Sequence, residues 1–131
     1  EVLPFALKTE CCGAAMGIPD VNIPGTLSGR ILETAKAVGA EAVVTACPLC
    51  HMNLDLRQRQ AARVTKNRPF ELPVFYYTQL LALAFGLPEN TMRFDKLAVN
   101  PKPLLDKIAE RRDARVMAAY NEARKAAGVE S

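Results

Sequence analysis

The spacing of apolar and polar positions along the chain predicts four helices. In each, apolar residues recur three and four positions apart, which places them on one face of a helix. Gly39 and Gly86 follow the first and third of these stretches, and glycine commonly ends a helix. The predicted helices cover residues 26–38, 49–64, 79–85 and 104–127.

Short apolar runs between the helices predict strands. Residues 41–46 and 73–78 are rich in β-branched and aromatic side chains, and residues 3–7 form a shorter apolar run before them. Strands that alternate with helices are typical of a parallel sheet covered by helices. The sequence therefore predicts an α/β fold, with a small parallel sheet of about three strands flanked by helices and a C-terminal amphipathic helix.

Length and composition fit one folded domain. The chain has 131 residues, half of them hydrophobic and a quarter charged, and a chain of this length buries about two-thirds of its unfolded surface. We expect a single domain over residues 1–131, with a helical tail at 104–127. No apolar run is long enough for a membrane span. The net charge of +3 is too small to predict nucleic-acid binding.

Four cysteines in two tight groups carry the candidate chemistry. Cys11 and Cys12 are adjacent, and Cys47 and Cys50 form a Cys-x-x-Cys turn. Clustering of this kind predicts metal ligation in the reducing cytoplasm better than it predicts the dense, spread cysteines of a secreted disulfide scaffold. Sites in parallel sheets lie beyond the carboxyl ends of the strands, so we expect the two groups to meet there.

The spacing within each group bears on the kind of metal. The two thiolates of a Cys-x-x-Cys turn can converge on one ion. Adjacent side chains of an extended segment point to opposite faces, so Cys11 and Cys12 reach a single ion only with strain. An iron–sulfur cluster avoids this conflict because the two sulfurs can bind different irons. The spacing favours a cluster and leaves open a zinc held by all four cysteines in a non-catalytic structural or assembly domain.

Other interpretations of the cysteines are also open. The segment from Cys47 to His51 matches Cys-x-x-Cys-His, the attachment signature of c-type haem, although this leaves Cys11 and Cys12 unexplained. Cys47 and Cys50 alone could act as a thiol–disulfide exchanger. The cysteines could also be buried apolar residues or oxidised pairs.

Several neighbouring residues are candidates for supporting roles. His51 is expected to be a polar group at a helix start, and proton transfer near the substrate is the alternative that makes it a candidate catalytic residue. Gly13 is either a loop-breaker or the residue that lets backbone amides approach cluster sulfur. Tyr76 and Tyr77 are expected to pack in the core, with proton donation as the alternative. Residues 57–68 carry five cations and no acid, which fits a solvated helix face or a docking patch for an acidic redox partner or an anionic substrate.

Two motifs resemble a known family. Cys11-Cys12-Gly13 and the stretch from Cys47 to Asp55 resemble the CCG cysteine-rich domain found in the B subunit of heterodisulfide reductase and in its relatives. Residues 73–81 resemble the C-terminal region of the same protein, and the resemblance covers roughly residues 8–90.

The resemblance implies a ligand set. Cys11, Cys12, Cys47 and Cys50 would bind a noncubane [4Fe–4S] cluster at which a disulfide is reductively cleaved. The family pattern has one further cysteine upstream of the pair, a position that precedes Glu1. We therefore expect this chain to be the C-terminal portion of such a domain, or another chain or an exogenous ligand to complete the site.

The resemblance also implies a function and partners. It indicates the catalytic iron–sulfur subunit of a heterodisulfide reductase-like complex, an oxidoreductase that acts on a disulfide or a related sulfur substrate. Electrons would reach it from a ferredoxin-like iron–sulfur subunit, which is itself supplied by a flavoprotein subunit.

Overall fold

A computed structural model describes residues 1–126 of the chain. Short 3₁₀ turns occur at Ala14–Gly17, Glu89–Thr91 and Phe94–Lys96. The helices and strands, in chain order, are α1 (Asn22–Ala37), β1 (Val43–Thr45), α2 (Pro48–Leu56), α3 (Gln58–Val64), β2 (Val74–Tyr76), α4 (Tyr77–Ala84) and α5 (Lys102–Ala126).

The two strands pair in parallel. Val43 lies opposite Val74, and Thr45 lies opposite Tyr76. The Val43 N–H donates to the Pro73 carbonyl at 2.9 Å, the slanted bond expected for a parallel pair of Val43 and Val74. Parallel pairing with helices between the strands confirms the predicted α/β class.

The sheet has two strands among the described residues instead of about three. Residues 3–7 form irregular chain and the start of a turn. Pro4 has no N–H to donate to a sheet ladder, and Phe5 and Leu7 still pack against the core without one. The apolar run therefore indicates burial, which this segment achieves outside the sheet.

Helix α1 begins earlier than the spacing predicts. It starts at Asn22 rather than at residue 26, and the Asp20 carboxylate accepts a hydrogen bond from the Asn22 N–H at 2.8 Å. Pro24 fits in the first turn because the N–H that proline lacks has no partner there. The predicted stop at Gly39 is confirmed, with a left-handed φ of 79° that suits glycine.

The prediction of one helix over 49–64 is wrong in one respect, because the helix breaks at Arg57. This residue has φ −99° and ψ 12°, and it separates α2 from α3. The break turns Gln58 into the interior. Its side-chain amide donates to the Leu72 carbonyl at 2.6 Å and accepts from the Leu72 N–H at 3.2 Å. These two bonds satisfy the buried amide, which the helical pattern alone does not reveal.

The chain divides into two compact units. The first is Glu1–Asn100, which contains both strands and α1–α4, and the second begins at Pro101 and contains α5. The predicted C-terminal helix is confirmed over its described part, while residue 127 lies outside the described residues. That the whole chain is a single domain stays a prediction. Among residues 1–126, no helix combines the length and apolar character needed to cross a membrane.

Glycine sets how closely α1 and α3 approach. A Cβ at Gly29 would lie 2.6 Å from Thr65 Cγ2 and 3.3 Å from the Ala61 carbonyl oxygen. A Cβ at Gly25 would lie no closer than 3.5 Å to its nearest neighbour, Val64 Cγ2. The 2.6 Å distance at Gly29 is too short unless Thr65 moves, whereas the 3.5 Å distance at Gly25 is an ordinary van der Waals contact.

We therefore expect Gly29→Ala and Gly25→Ala to act in opposite ways. Gly29→Ala should lower the free energy of unfolding by about 1–3 kcal/mol through overpacking. Gly25→Ala should leave it unchanged or raise it by up to about 1 kcal/mol, because alanine favours the helix. Urea unfolding measures both, and equal losses would contradict this packing.

Candidate functional site

The Cys-x-x-Cys turn forms the start of α2, two residues after β1 ends. Cys47 is the extended residue that precedes the helix, and Pro48 is its first residue. Proline suits that position because its φ is already helical and the missing N–H is not needed. The His51 N–H donates to the Cys47 carbonyl at 2.9 Å. Helical spacing then brings Cys50 to the same side as Cys47.

The adjacent cysteines lie in different surroundings. Cys12 is 1% exposed, whereas Cys11 is exposed. Gly13 has a left-handed φ of 74°, and its N–H donates to Cys11 Sγ at 3.4 Å. The positive φ favours glycine there, and a Cβ would lie 2.6 Å from Cδ1 at the end of the Leu27 side chain, which would have to shift.

The Cys50 thiol has one neighbouring thiol from each motif. Cys50 is within hydrogen-bonding reach of both the Cys12 and the Cys47 thiols, and all four cysteines are free. The predicted meeting of the two groups therefore occurs through Cys12. Within residues 1–126, no three Cys, His, Asp or Glu side chains converge closely enough to hold one metal ion.

The pKa values of Cys47 and Cys50 move in opposite directions. Burial, and then the hydrogen bond with Cys12, raise the pKa of Cys50 from 9.0 to about 12. The backbone N–H groups of Cys50 and Leu49 lower the pKa of Cys47, as the free N–H groups at a helix start do for a thiolate. Cys47 is the more readily ionised of the two thiols.

Asn53 is a buried polar neighbour of the cysteines. Its side-chain amide donates from Nδ2 to Cys12 Sγ at 3.6 Å, and the residue is 1% exposed. The sequence gives little signal for this contact, because an asparagine between apolar helical positions is usually exposed.

His51 joins α2 to β2. Its Nε2 lies 3.0 Å from the Val74 carbonyl oxygen. A carbonyl can only accept, so Nε2 carries a proton and donates it in this bond. The ring also meets the Tyr76 ring edge-on, with centroids 6.0 Å apart. These contacts leave Nδ1 as the ring atom available for proton exchange, and the predicted catalytic role of His51 stays a prediction.

Tyr76 fixes the chain just before the Cys-x-x-Cys turn. Its hydroxyl donates to the Ala46 carbonyl at 2.8 Å, and its N–H donates to Gln79 Oε1 at 2.8 Å. Tyr76 is half-buried. The expectation of core packing is wrong for Tyr77, which is 44% exposed.

A cavity of about 190 Å³ opens beside the Cys11 side of the site. It combines apolar walls with one acidic and one basic side chain. Its lining residues are Leu7, Glu10, Cys11, Leu27, Arg30 and Ile31. Space for a small molecule therefore lies next to an exposed thiol.

The basic segment 57–68 is mostly surface. Arg59, Arg63, Lys66 and Arg68 are exposed, whereas Arg57 is half-buried and donates to Gln60 Oε1 at 3.2 Å. This arrangement fits both interpretations, a solvated face and a docking patch.

Comparison with known proteins supports the motif-based resemblance. Residues 1–55 match the family model described as the CCG cysteine-rich domain. Relatives include the B subunits of two heterodisulfide reductases, so the predicted resemblance to that domain is confirmed.

Three curated relatives illustrate the similarity. The 8-methylmenaquinol:fumarate reductase membrane anchor subunit of Wolinella succinogenes is 36% identical over 92 residues, 70% of this chain and 32% of the relative. The B subunit of the ferredoxin/F(420)H(2)-dependent CoB-CoM heterodisulfide reductase of Methanosarcina acetivorans is 30% identical over 105 residues, 79% of this chain and 35% of the relative. The B subunit of the ferredoxin:CoB-CoM heterodisulfide reductase of Methanosarcina mazei is 31% identical over the same length, with the same shares. The chain spans about one third of the length of each of these relatives.

We expect Gly13→Ala to destabilise the fold more than Gly86→Ala. Gly86 also has a positive φ, 73°, but nothing lies within 4 Å of a Cβ built on it. The control therefore carries the conformational strain alone, about 1 kcal/mol. Gly13→Ala also forces the end of the Leu27 side chain to shift and should cost up to about 1 kcal/mol more in the free energy of unfolding. Urea unfolding of the two variants tests this, and equal losses would refute the close contact.

Cys47 should be alkylated faster than Cys50 in metal-free protein below pH 9. A lowered pKa gives Cys47 more thiolate at a given pH, whereas the raised pKa keeps Cys50 protonated until the solution is strongly alkaline. Iodoacetamide labelling followed by peptide mass spectrometry gives both rates. In urea-unfolded protein the difference should vanish, and its absence in the folded protein would count against the assigned shifts.

Proposed function

We propose that this chain, whose residues 1–55 match the CCG cysteine-rich domain, is part of the catalytic iron–sulfur subunit of a heterodisulfide reductase-like complex. The observation that carries the proposal is the contact between Cys12 and Cys50, which come from motifs far apart in the sequence. The names of the Methanosarcina relatives give the reaction class, reduction of a disulfide. Free cysteines suit a reducing compartment, so we propose a cytoplasmic location.

The donor set fits an iron–sulfur cluster. Cys11, Cys12, Cys47 and Cys50 offer four sulfur ligands without a disulfide. The buried Cys12 sulfur faces Cys50 and Asn53, while Cys11 lines the neighbouring cavity. Adjacent thiols with such different surroundings suit a cofactor with several irons better than a single ion. We propose a noncubane [4Fe–4S] cluster, with a further ligand from outside this set.

Gly13 supports the same cofactor. Its N–H already donates to Cys11 Sγ at 3.4 Å, and a donor to ligand sulfur stabilises the negative charge that a cluster gains on reduction. Its lack of a side chain lets the backbone approach the sulfur this closely. We therefore keep Gly13 in the proposed cofactor-binding set.

The reaction consumes two electrons and two protons for each disulfide, and it yields two thiols. A ferredoxin-like iron–sulfur subunit supplies the electrons, and a flavoprotein subunit supplies that partner in turn. Held by these cysteines, an iron–sulfur cluster would supply the one-electron chemistry that cleavage of an S–S bond needs. The cavity beside Cys11 gives a small disulfide room next to the cofactor-binding residues.

His51 is the proposed proton donor to a leaving thiolate. Its Nε2–H is held by the Val74 carbonyl, so exchange takes place at Nδ1. Imidazole suits this role because its ring nitrogens can both accept and donate a proton. The bond to Val74 also fixes the orientation of the ring.

Metal analysis of anaerobically purified protein tests the proposal. Iron and acid-labile sulfide should be present in near-equal amounts. Cys12→Ser should reduce both by at least about tenfold, since the loss of even an outer partner of a metal site has an effect of that size. Met52→Leu changes an exposed side chain on α2; it is the control and should retain both. Zinc without sulfide, which the structural alternative predicts, or no metal at all would contradict the proposal.

A further inference from the structure

Asn53 places a hydrogen-bond donor against the one fully buried cysteine. Its Nδ2 lies 3.6 Å from Cys12 Sγ, across 41 positions of sequence. This distance is within the range of a hydrogen bond to sulfur, which is larger than oxygen. Both residues are 1% exposed, so water does not compete for the contact.

A buried amide at this position lowers the stability of the fold unless it forms a favourable hydrogen bond. An amide buried without hydrogen bonds costs about 1–3 kcal/mol, and asparagine is a poorer helix former than leucine. A neutral thiol is only a weak acceptor, whereas hydrogen bonds to a charged acceptor are roughly twice as strong as neutral ones. The Asn53 amide therefore suits a Cys12 sulfur that carries negative charge, as a metal-bound thiolate does.

Gln58 provides an internal comparison. It is also a buried amide, but it bonds with both the N–H and the carbonyl of Leu72. These bonds tie α3 to the chain before β2 and involve no cysteine. Two buried amides in neighbouring helices therefore have different partners, one the backbone and the other a proposed ligand sulfur.

We infer that Asn53 is a positioning residue that orients the Cys12 sulfur for cluster binding and raises the reduction potential of the bound cluster. This inference rests on the proposed function. A hydrogen bond donated to ligand sulfur stabilises the more negative, reduced state, and the potential rises as a result. Orientation follows because the donor comes from the rigid helix α2, which also carries Cys50.

Redox titration of three reconstituted variants tests the inference. Asn53→Leu keeps the branching and the number of side-chain heavy atoms and removes the donor, so the potential should fall and cluster loss should be about tenfold faster. Asn53→Gln keeps an amide donor and should recover part of both effects. Gln58→Met removes the other buried amide, so it should lower stability without moving the potential. If Asn53→Leu binds a cluster whose potential is unchanged, the inference is overturned and the proposed function is not.

A measurement on metal-free protein tests the contact itself. The NMR signals of the Asn53 side-chain amide should shift on Cys12→Ala, while those of Gln58 stay in place. The NMR measurement tests whether Asn53 contacts Cys12 even if Asn53→Leu fails to fold. Unshifted Asn53 signals would overturn the inference. An unsubstituted protein that binds no iron or sulfide overturns the proposed function and the cluster-tuning role with it.

Discussion

Burial of Cys12 joins the two motifs on which the candidate site depends. Its sulfur meets the Cys50 thiol and the Asn53 amide, both of which lie on α2. No disulfide connects the two groups, so packing and hydrogen bonding hold them together. Gly13 then turns the chain sharply through its left-handed conformation, which brings the backbone against Leu27 of α1. The adjacent cysteine Cys11 is left exposed at the cavity as a result.

The two strands supply only a small part of the frame around these thiols. Each contains three residues, and a sheet of this size is marginal without helices packed on it. Residues of β2 also form hydrogen bonds with the Cys-x-x-Cys turn and the residue before it. Val74 accepts from His51, and Tyr76 donates to Ala46 immediately before Cys47. The turn is therefore fixed from both sides of Cys47, by polar contacts to one neighbouring strand.

Sequence reasoning recovers those features that depend on local spacing. The helices, their glycine stops and the two cysteine groups all follow from short-range patterns. The break at Arg57 does not, because it depends on the bonds of Gln58 with a distant backbone segment. The role of residues 3–7 has the same limitation, since an apolar run signals burial without specifying a strand. Asn53 is the clearest case, because only the folded contact distinguishes it from a surface asparagine.

Full burial of Cys12 has a consequence for how any cofactor enters the site. Iron and sulfide delivered from solution can reach the exposed Cys11 and Cys47 in the closed fold. They cannot reach a sulfur that is 1% exposed without separation of the first loop from α2. Insertion of the proposed cofactor would therefore be coupled to a local opening of the fold. The same burial would slow the escape of the cofactor once the fold has closed.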